Sequence, residues 1–249
     1  MSAGFLVSIG ATHPWTIAGV GIDAGVAREY GLRHAVALIG VTAQDDRRLR
    51  GAFALSRDAV RAQLETLPPA AATHVGVLFD EANVYEVASF LDRDESAPLV
   101  VDPVLSDGFG VDFSNAKTLE AFRTAMLPLH SILTPNLPEA QRLLEREIST
   151  VDAMIDAARE LQACGPLAVL LKGGHLAGDP VDVLATNESV ELFSDARLPH
   201  KLRGTGCMLA AALACELADE CSLIEAVVAA RSYVRRKIMA LSAAPAPPR

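Results

Sequence analysis

The hydrophobic positions of the chain fall into short continuous runs that alternate with stretches of helical periodicity. Between the runs, helix-like stretches lie near residues 23–30, 56–66, 81–92, 114–126, 136–146 and 150–163. Strands that are apolar throughout and separated by helices are typical of a parallel sheet covered on both faces. We therefore predict an α/β fold, with helices on both faces of a mostly parallel central sheet. The predicted strands are Phe5–Ile9, Ala35–Ile39, Val75–Leu78, Leu99–Val101, Ile132–Leu133 and Leu167–Leu171.

The pattern changes after the last of these runs. Val181–Thr186 and Val190–Phe193 are two short alternating runs joined by three polar residues, which predicts a small antiparallel hairpin. Two helices follow, and Ser222 with Glu225 forms a capping box at the start of the second. We predict one domain over residues 1–242 and a disordered proline-rich tail over residues 243–249.

Composition and charge narrow the function classes. The chain is 51% hydrophobic and 21% charged, which excludes a disordered or fibrous protein. Its net charge of −9 argues against nucleic-acid binding, although one lysine and a few backbone N–H groups still suffice for a nucleotide. No apolar window is long enough to span a membrane, and no positive residue precedes the apolar N-terminal stretch as a signal peptide requires. We expect a cytoplasmic protein with reduced cysteines.

Ligands of such sheets bind beyond the carboxyl ends of the strands, where a glycine turn opens a predicted helix. In the segment Gly204–Cys207, backbone N–H groups would converge at a helix N-terminus and attract an anion. The helix dipole would also lower the pKa of the Cys207 thiol. The alternative is a glycine turn that merely opens a core helix.

Polar residues follow three of the predicted strands. Asn136 and Glu139 share a helix face and could hold Mg²⁺ directly or through its waters; alternatively they are an N-cap and a first-turn acid. Lys172 ends a strand before two glycines and is well placed for a phosphate, or it simply extends its amine to solvent. Asp102 follows another strand and is a second possible metal or water ligand by position.

Five segments together resemble the hydroxymethylpyrimidine/phosphomethylpyrimidine kinases of thiamine biosynthesis, in the ribokinase-like superfamily. The family motifs are TAQ, VDPV, TPNLPEA, KGGH and GTGC, and in the last of these a cysteine replaces the aspartate base of sugar kinases. Their order and spacing match over about residues 9–238. The matching segments are Thr42–Gln44, Val101–Val104, Thr134–Ala140, Lys172–His175 and Gly204–Cys207.

The resemblance implies transfer of the γ-phosphoryl group of ATP, with Mg²⁺, to a hydroxymethyl or phosphate oxygen on a pyrimidine. It implies that Asp102 and Glu139 organise Mg²⁺, while Asn136 and Lys172 hold the nucleotide. The backbone N–H groups of the glycine turn would form the anion hole for the transferring group, with Cys207 beside the acceptor oxygen. The turn residues that it assigns to catalysis are Gly204, Thr205, Gly206 and Cys207, and Thr205 also contacts the nucleotide.

The same resemblance places the acceptor near the first two strands. Gln44 would hydrogen-bond the pyrimidine edge, with Ala11, Ala18 and Asp23 in or supporting that pocket. The expected partner is a small pyrimidine, without nucleic acid or membrane, and the dimers common among relatives imply a homodimer.

Four segments depart from the family pattern, and three of them are expected to face the acceptor. Residues 13–19 read HPWTIAG where the family has DPSGGAG, so Trp15 is expected to narrow the acceptor pocket. Arg203 replaces a histidine, Asp45 replaces an asparagine, and the loop 105–110 lacks the usual lysine. Two alternatives therefore stay open: a kinase of another heteroaromatic alcohol, such as pyridoxal or hydroxyethylthiazole, and a non-catalytic pyrimidine sensor.

Overall fold

The computed structural model describes residues 4–176, 178–200, 202–219 and 221–243, and its strands form one mixed sheet. The order across the sheet is β3-β2-β1-β4-β5-β6-β7-β8-β9. The strands are β1 (Phe5–Thr12), β2 (Arg33–Gln44), β3 (Leu49–Ala54), β4 (Ala72–Val75), β5 (Leu99–Val101), β6 (Ile132–Leu133), β7 (Ala168–Leu171), β8 (Val181–Thr186) and β9 (Val190–Ser194).

Helices cover both faces of this sheet, and several begin at a side chain that caps the first turn, as Ser56 does through its hydroxyl oxygen. The fourth helix continues into a π-helical turn at Phe122–Met126. The helices are α1 (Val20–Glu29), α2 (Arg57–Leu64), α3 (Glu81–Leu91), α4 (Ala116–Ala121), α5 (Leu137–Leu144), α6 (Val151–Gln162), α7 (Thr205–Leu217) and α8 (Leu223–Ala243).

Six neighbouring strands run parallel, and the additions at both edges are antiparallel. The strands β2, β1, β4, β5, β6 and β7 pair in parallel, whereas β3, β8 and β9 pair antiparallel. One face packs against α2, α3, α5 and α6, and the other packs against α1, α7 and α8. The predicted fold class and hairpin are therefore confirmed. The carboxyl ends of all six parallel strands meet at a single edge.

Two strand predictions were wrong, for identifiable reasons. The fourth strand is Ala72–Val75 rather than Val75–Leu78, because two of its residues are buried polar side chains that interrupt the apolar run. One of them, His74, contacts Asp23 through Nδ1 at 2.9 Å. The strand β3 was missed, because this edge strand has no buried residue and so carries no apolar pattern.

The carboxyl-terminal end also differs from the prediction. The helix α8 continues to Ala243, so the first residue of the predicted disordered tail is helical. Residues 244–249 lie outside the described residues. Among the helices that the structure describes, none is long and apolar enough to cross a membrane.

Candidate active site

Three parallel strands deliver a lysine, an aspartate and a threonine to one point at the edge of the sheet. Asp102 follows β5, Thr134 follows β6 and Lys172 follows β7. Lys172 Nζ donates to Asp102 Oδ1 at 2.8 Å, and Thr134 Oγ1 donates to the same oxygen at 3.2 Å. Because Asp102 and Thr134 are buried, the amine is held in one position at the carboxyl edge.

The N-terminus of α7 lies directly against this pair. A Cβ atom on Gly206 would lie 3.4 Å from Lys172 Nζ and 3.6 Å from Asp102 Oδ2. Gly204 adopts a left-handed conformation with φ 74°, and a side chain there would overlap Ile22 and the carbonyl of Ile17. The first N–H groups of a helix have no intrahelical acceptor, so the turn presents these donors next to the lysine. The structure therefore brings the predicted anion hole and Lys172 together.

Asn136 and Glu139 form a capping box at the start of α5. Asn136 Oδ1 accepts from Glu139 N at 2.9 Å, and Glu139 Oε2 accepts from Asn136 N at 2.7 Å. The backbone N–H of Lys172 donates to the carbonyl of Pro135 at 2.8 Å, which ties this helix start to β7. Asn136 and Glu139 are therefore an N-cap and a first-turn acid, which was the alternative to a metal site. Any contact of this pair with nucleotide or metal stays a prediction.

The capping glutamate also belongs to a buried group of charges. Burial raises the pKa of Glu139 to about 8, with Lys172 opposing the shift and Asp102 adding to it. Burial lowers the pKa of Lys172, but the charges of Asp102 and Glu139 outweigh this effect and raise it overall. At neutral pH the lysine is charged, and burial opposes the ionisation of Glu139.

The prediction of an acidified thiol at Cys207 was wrong. Burial raises its pKa, with further contributions from the charges of Asp102 and Asp23, and a hydrogen bond from the backbone of Gly19 compensates only in part. The stabilisation of a thiolate by the helix dipole is small compared with the free-energy cost of burying that thiolate near two acids. Cys207 is therefore a neutral thiol at pH 7.

The loop after β1, which is expected to border the acceptor, folds back onto the end of that strand. His13 Nε2 accepts from Ala18 N at 3.0 Å, and Gly19 has φ 61° with the space for its side chain taken by the carbonyl of Ala11. A Cβ atom on Gly204 would lie 3.2 Å from Ala18 Cα. Ala11, at the end of β1, thus lies against Gly19, and Ala18 lies against Gly204 at the start of α7; their contact with an acceptor stays a prediction.

The residue that sequence reasoning missed here is Arg203, which it noted only as a departure from the family pattern. Arg203 Nη1 donates to the carbonyl of Asp45 at 2.8 Å, and Nη2 donates to Gln44 Oε1 at 3.3 Å. The guanidinium carbon lies 4.3 Å from the centroid of the Phe109 ring. Arg203 therefore contacts two other segments that depart from the family pattern, Asp45 and the loop 105–110. Its position next to the glycine turn was the sequence signal that could have identified it.

Two other expected acceptor residues lie farther out or deeper. Trp15 is 54% exposed and lines an open cleft of about 540 Å³ together with residues 45–48 and Arg50, so its narrowing of the acceptor pocket stays a prediction. Asp23 is buried in α1 and paired with His74. Its support of the acceptor pocket stays a prediction.

Comparison with known proteins supports the family resemblance. The family model described as phosphomethylpyrimidine kinase matches residues 16–245. A hydroxymethylpyrimidine/phosphomethylpyrimidine kinase of Streptomyces coelicolor is 37% identical over 227 residues, which cover 90% of this chain and 84% of the relative.

Two solved structures are similar in fold. The phosphomethylpyrimidine kinase of Clostridium difficile 630 has a TM-score of 0.81 at 26% identity, covering 94% of this chain and 99% of that one. The pyridoxal kinase of Staphylococcus aureus, in complex with AMP-PCP and pyridoxal, has a TM-score of 0.85 at 25% identity, covering 94% and 87%. The resemblance drawn from five sequence segments is thereby confirmed: the chain belongs to the phosphomethylpyrimidine kinase family and is a kinase of thiamine biosynthesis.

Proposed function

We propose that the chain transfers the γ-phosphoryl group of ATP to hydroxymethylpyrimidine or its monophosphate, at the cleft between the carboxyl edge of the sheet and α7. The observation that carries this proposal is the approach of Gly206 to Lys172, at 3.4 Å from the position of a Cβ atom to Nζ. Backbone donors at a helix start beside a fixed lysine suit a phosphate chain. The use of ATP is supported by the related pyridoxal kinase that binds AMP-PCP.

On the nucleotide side, the chain supplies charge and orientation. Lys172 neutralises phosphate oxygens, and the N–H groups of residues 204–207 hold the transferring group through fixed dipoles. Asn136 and Thr205 are proposed to contact the nucleotide. Phosphoryl transfer depends mainly on such positioning and charge stabilisation.

The donor set at this edge fits Mg²⁺. Asp102 and Glu139 are both buried, and burial raises the pKa of Glu139, so a bound cation would favour its ionised form. Among the described residues, no three His, Cys, Asp or Glu side chains lie close enough together to hold a metal. Mg²⁺ suits this arrangement, since it takes most of its ligands from water and substrate phosphates. When bound, it would neutralise charge on the phosphates.

On the acceptor side, Gln44 can offer an amide to the pyrimidine edge, and Cys207 lies where the acceptor oxygen is expected. The neutral thiol can donate a hydrogen bond, but it cannot act as a general base at pH 7 because burial raises its pKa. An alcohol must lose a proton during transfer, whereas a phosphate oxygen is already ionised. A neutral thiol therefore suits the phosphorylated acceptor better than the alcohol.

The similarity to pyridoxal kinase supports a second candidate acceptor, a pyridine alcohol. The test is purified protein with ATP, Mg²⁺ and a panel of pyrimidine, pyridine and thiazole alcohols and the pyrimidine monophosphate, scored by ADP release. We expect the pyrimidines to give the highest kcat/KM. If no acceptor stimulates ADP release although calorimetry detects pyrimidine binding, the protein is a sensor and the kinase proposal is wrong.

We further propose a homodimer in the cytoplasm, as in the dimers common among ribokinase-like relatives. Light scattering of the purified protein should give about twice the mass of 26.3 kDa. A monomer at micromolar concentration would contradict the dimer and leave the kinase proposal intact.

A further inference from the structure

Arg203 is unusual among the half-buried arginines of the described residues. Each of the others forms an ion pair with a carboxylate within 4.0 Å, whereas Arg203 donates only to neutral oxygens of Gln44 and Asp45. Taking a guanidinium partly out of water without a counterion costs free energy that a bound anion would recover. The paired arginines are Arg61, Arg123, Arg142, Arg146, Arg231 and Arg235.

The carboxylate of Asp45, whose backbone carbonyl accepts from Arg203, is occupied elsewhere. Asp45 accepts through Oδ1 from the backbone N–H groups of Arg47 and Arg48, at 2.8 and 2.9 Å, and its Oδ2 faces Arg50 at 3.4 Å. The turn after β2 thus holds this acid away from Arg203. Two of the five N–H groups of the guanidinium are used by Gln44 and Asp45, and the stack on Phe109 fixes the plane of the remaining donors.

A second donor without a protein acceptor lies on the same side of the cleft. His13 is only 4% exposed, and its Nε2 accepts from Ala18 N, so in the neutral ring the proton is on Nδ1. That Nδ1 is buried and has no hydrogen-bond partner among the described residues. Burial, followed by the nearby charge of Arg203, lowers the pKa of His13 and keeps the ring neutral. A buried N–H group left unpaired is costly unless a ligand accepts from it.

We propose that Arg203 and His13 bind the phosphate group that the acceptor already carries, so that the enzyme selects the pyrimidine monophosphate over the alcohol. Arg203 directly precedes the glycine turn, and its guanidinium reaches Gln44 and Asp45 at the end of β2. Arginine is suited to the two-pronged recognition of phosphate oxygens. This inference rests on the proposed kinase function and specifies its substrate class.

The test compares the binding of phosphomethylpyrimidine and hydroxymethylpyrimidine by calorimetry, with AMP-PCP and Mg²⁺ saturating the nucleotide side. The wild type should bind the monophosphate more tightly. Arg203→Met should reduce that preference by about 10- to 100-fold, the worth of a hydrogen-bonded charge. Arg203→Lys keeps the positive charge but not the two-pronged guanidinium, so it should retain part of the preference for the monophosphate. His13→Phe should reduce the preference by about tenfold, with melting curves showing that each variant is folded.

Arg47→Met is the matched control, because it removes the same charge from the neighbouring turn, where the side chain is 88% exposed. We expect it to change the preference by less than about twofold, since water and salt screen an exposed charge. If Arg203→Met weakens both ligands equally, the residue only positions Gln44 and the inference is wrong. A wild type without preference also overturns it. A wild type that shows this preference but releases no ADP contradicts the proposed kinase function instead.

Discussion

The two sides of the cleft differ in whether their basic side chain is paired with a carboxylate. On the nucleotide side, Lys172 is paired with Asp102 at 2.8 Å before any ligand arrives. On the acceptor side, Arg203 is half-buried and held by neutral oxygens and an aromatic ring, without a carboxylate partner among the described residues. The charge of the lysine is compensated before a ligand binds, whereas the charge of the arginine has no counterion until an anionic ligand binds. In the proposed function, the first arrangement orients a phosphate chain, and the second distinguishes one acceptor from another.

The largest expected effect comes from the nucleotide side. Lys172→Met should lower kcat/KM by at least about 10³-fold, because it removes transition-state charge stabilisation and leaves Asp102 buried without its partner. ADP release under saturating acceptor measures the loss. Lys117→Met, at an exposed lysine, is the control and should retain activity close to that of the wild type. Substantial activity in Lys172→Met would remove the lysine from the mechanism.

Cys207 lies where the two sides meet, and its removal should have an intermediate effect. Cys207→Ala should lower kcat about tenfold, because a neutral thiol contributes one hydrogen bond and fills space beside the anion hole. AMP-PCP affinity should change little. Cys207→Ser retains a donor and should recover part of the loss. An unchanged kcat in the alanine variant would show that the thiol plays no part in transfer.

Glu139 offers a test that does not depend on activity. Its pKa of about 8 in the folded protein exceeds the usual value of 4.5, so ionisation is harder in the folded state. The stability associated with the protonated form is complete below about pH 4.5 and is lost as the pH rises toward 8. Glu139→Gln stays neutral, so its melting temperature should rise relative to the wild type between about pH 5 and pH 8.

Mg²⁺ sharpens this comparison. If the ion is held near Glu139, adding it at pH 8 should raise the melting temperature of the wild type more than that of Glu139→Gln. Equal shifts would assign Glu139 to helix capping alone.

The smallest expected effect comes from replacing Trp15, which borders the open cleft. Because Trp15 is 54% exposed and borders an open cleft, Trp15→Ala should change the acceptor KM by less than about threefold and leave the KM for ATP unchanged. A larger change confined to the acceptor would place the ring inside the pocket, as its replacement of a small family residue predicted.

Sequence patterns predicted the parallel sheet, its order of elements and the positions of Asp102 and Lys172 at strand ends, because apolar runs and strand ends are local signals. They misplaced β4, since the pairing of His74 with Asp23 joins residues 51 positions apart and makes a buried histidine look like a break. They also could not reveal that Arg203 reaches Gln44, since a contact across 159 positions leaves no periodicity to detect.

The most direct test of the division between the two sides is a calorimetric cross-comparison of two variants with two ligands. Lys172→Met should lose about tenfold or more in affinity for AMP-PCP with Mg²⁺ while keeping its affinity for phosphomethylpyrimidine. Arg203→Met should lose affinity for phosphomethylpyrimidine to a similar extent while keeping its affinity for AMP-PCP. If each variant weakens both ligands equally, the two sides do not act separately and the account is contradicted.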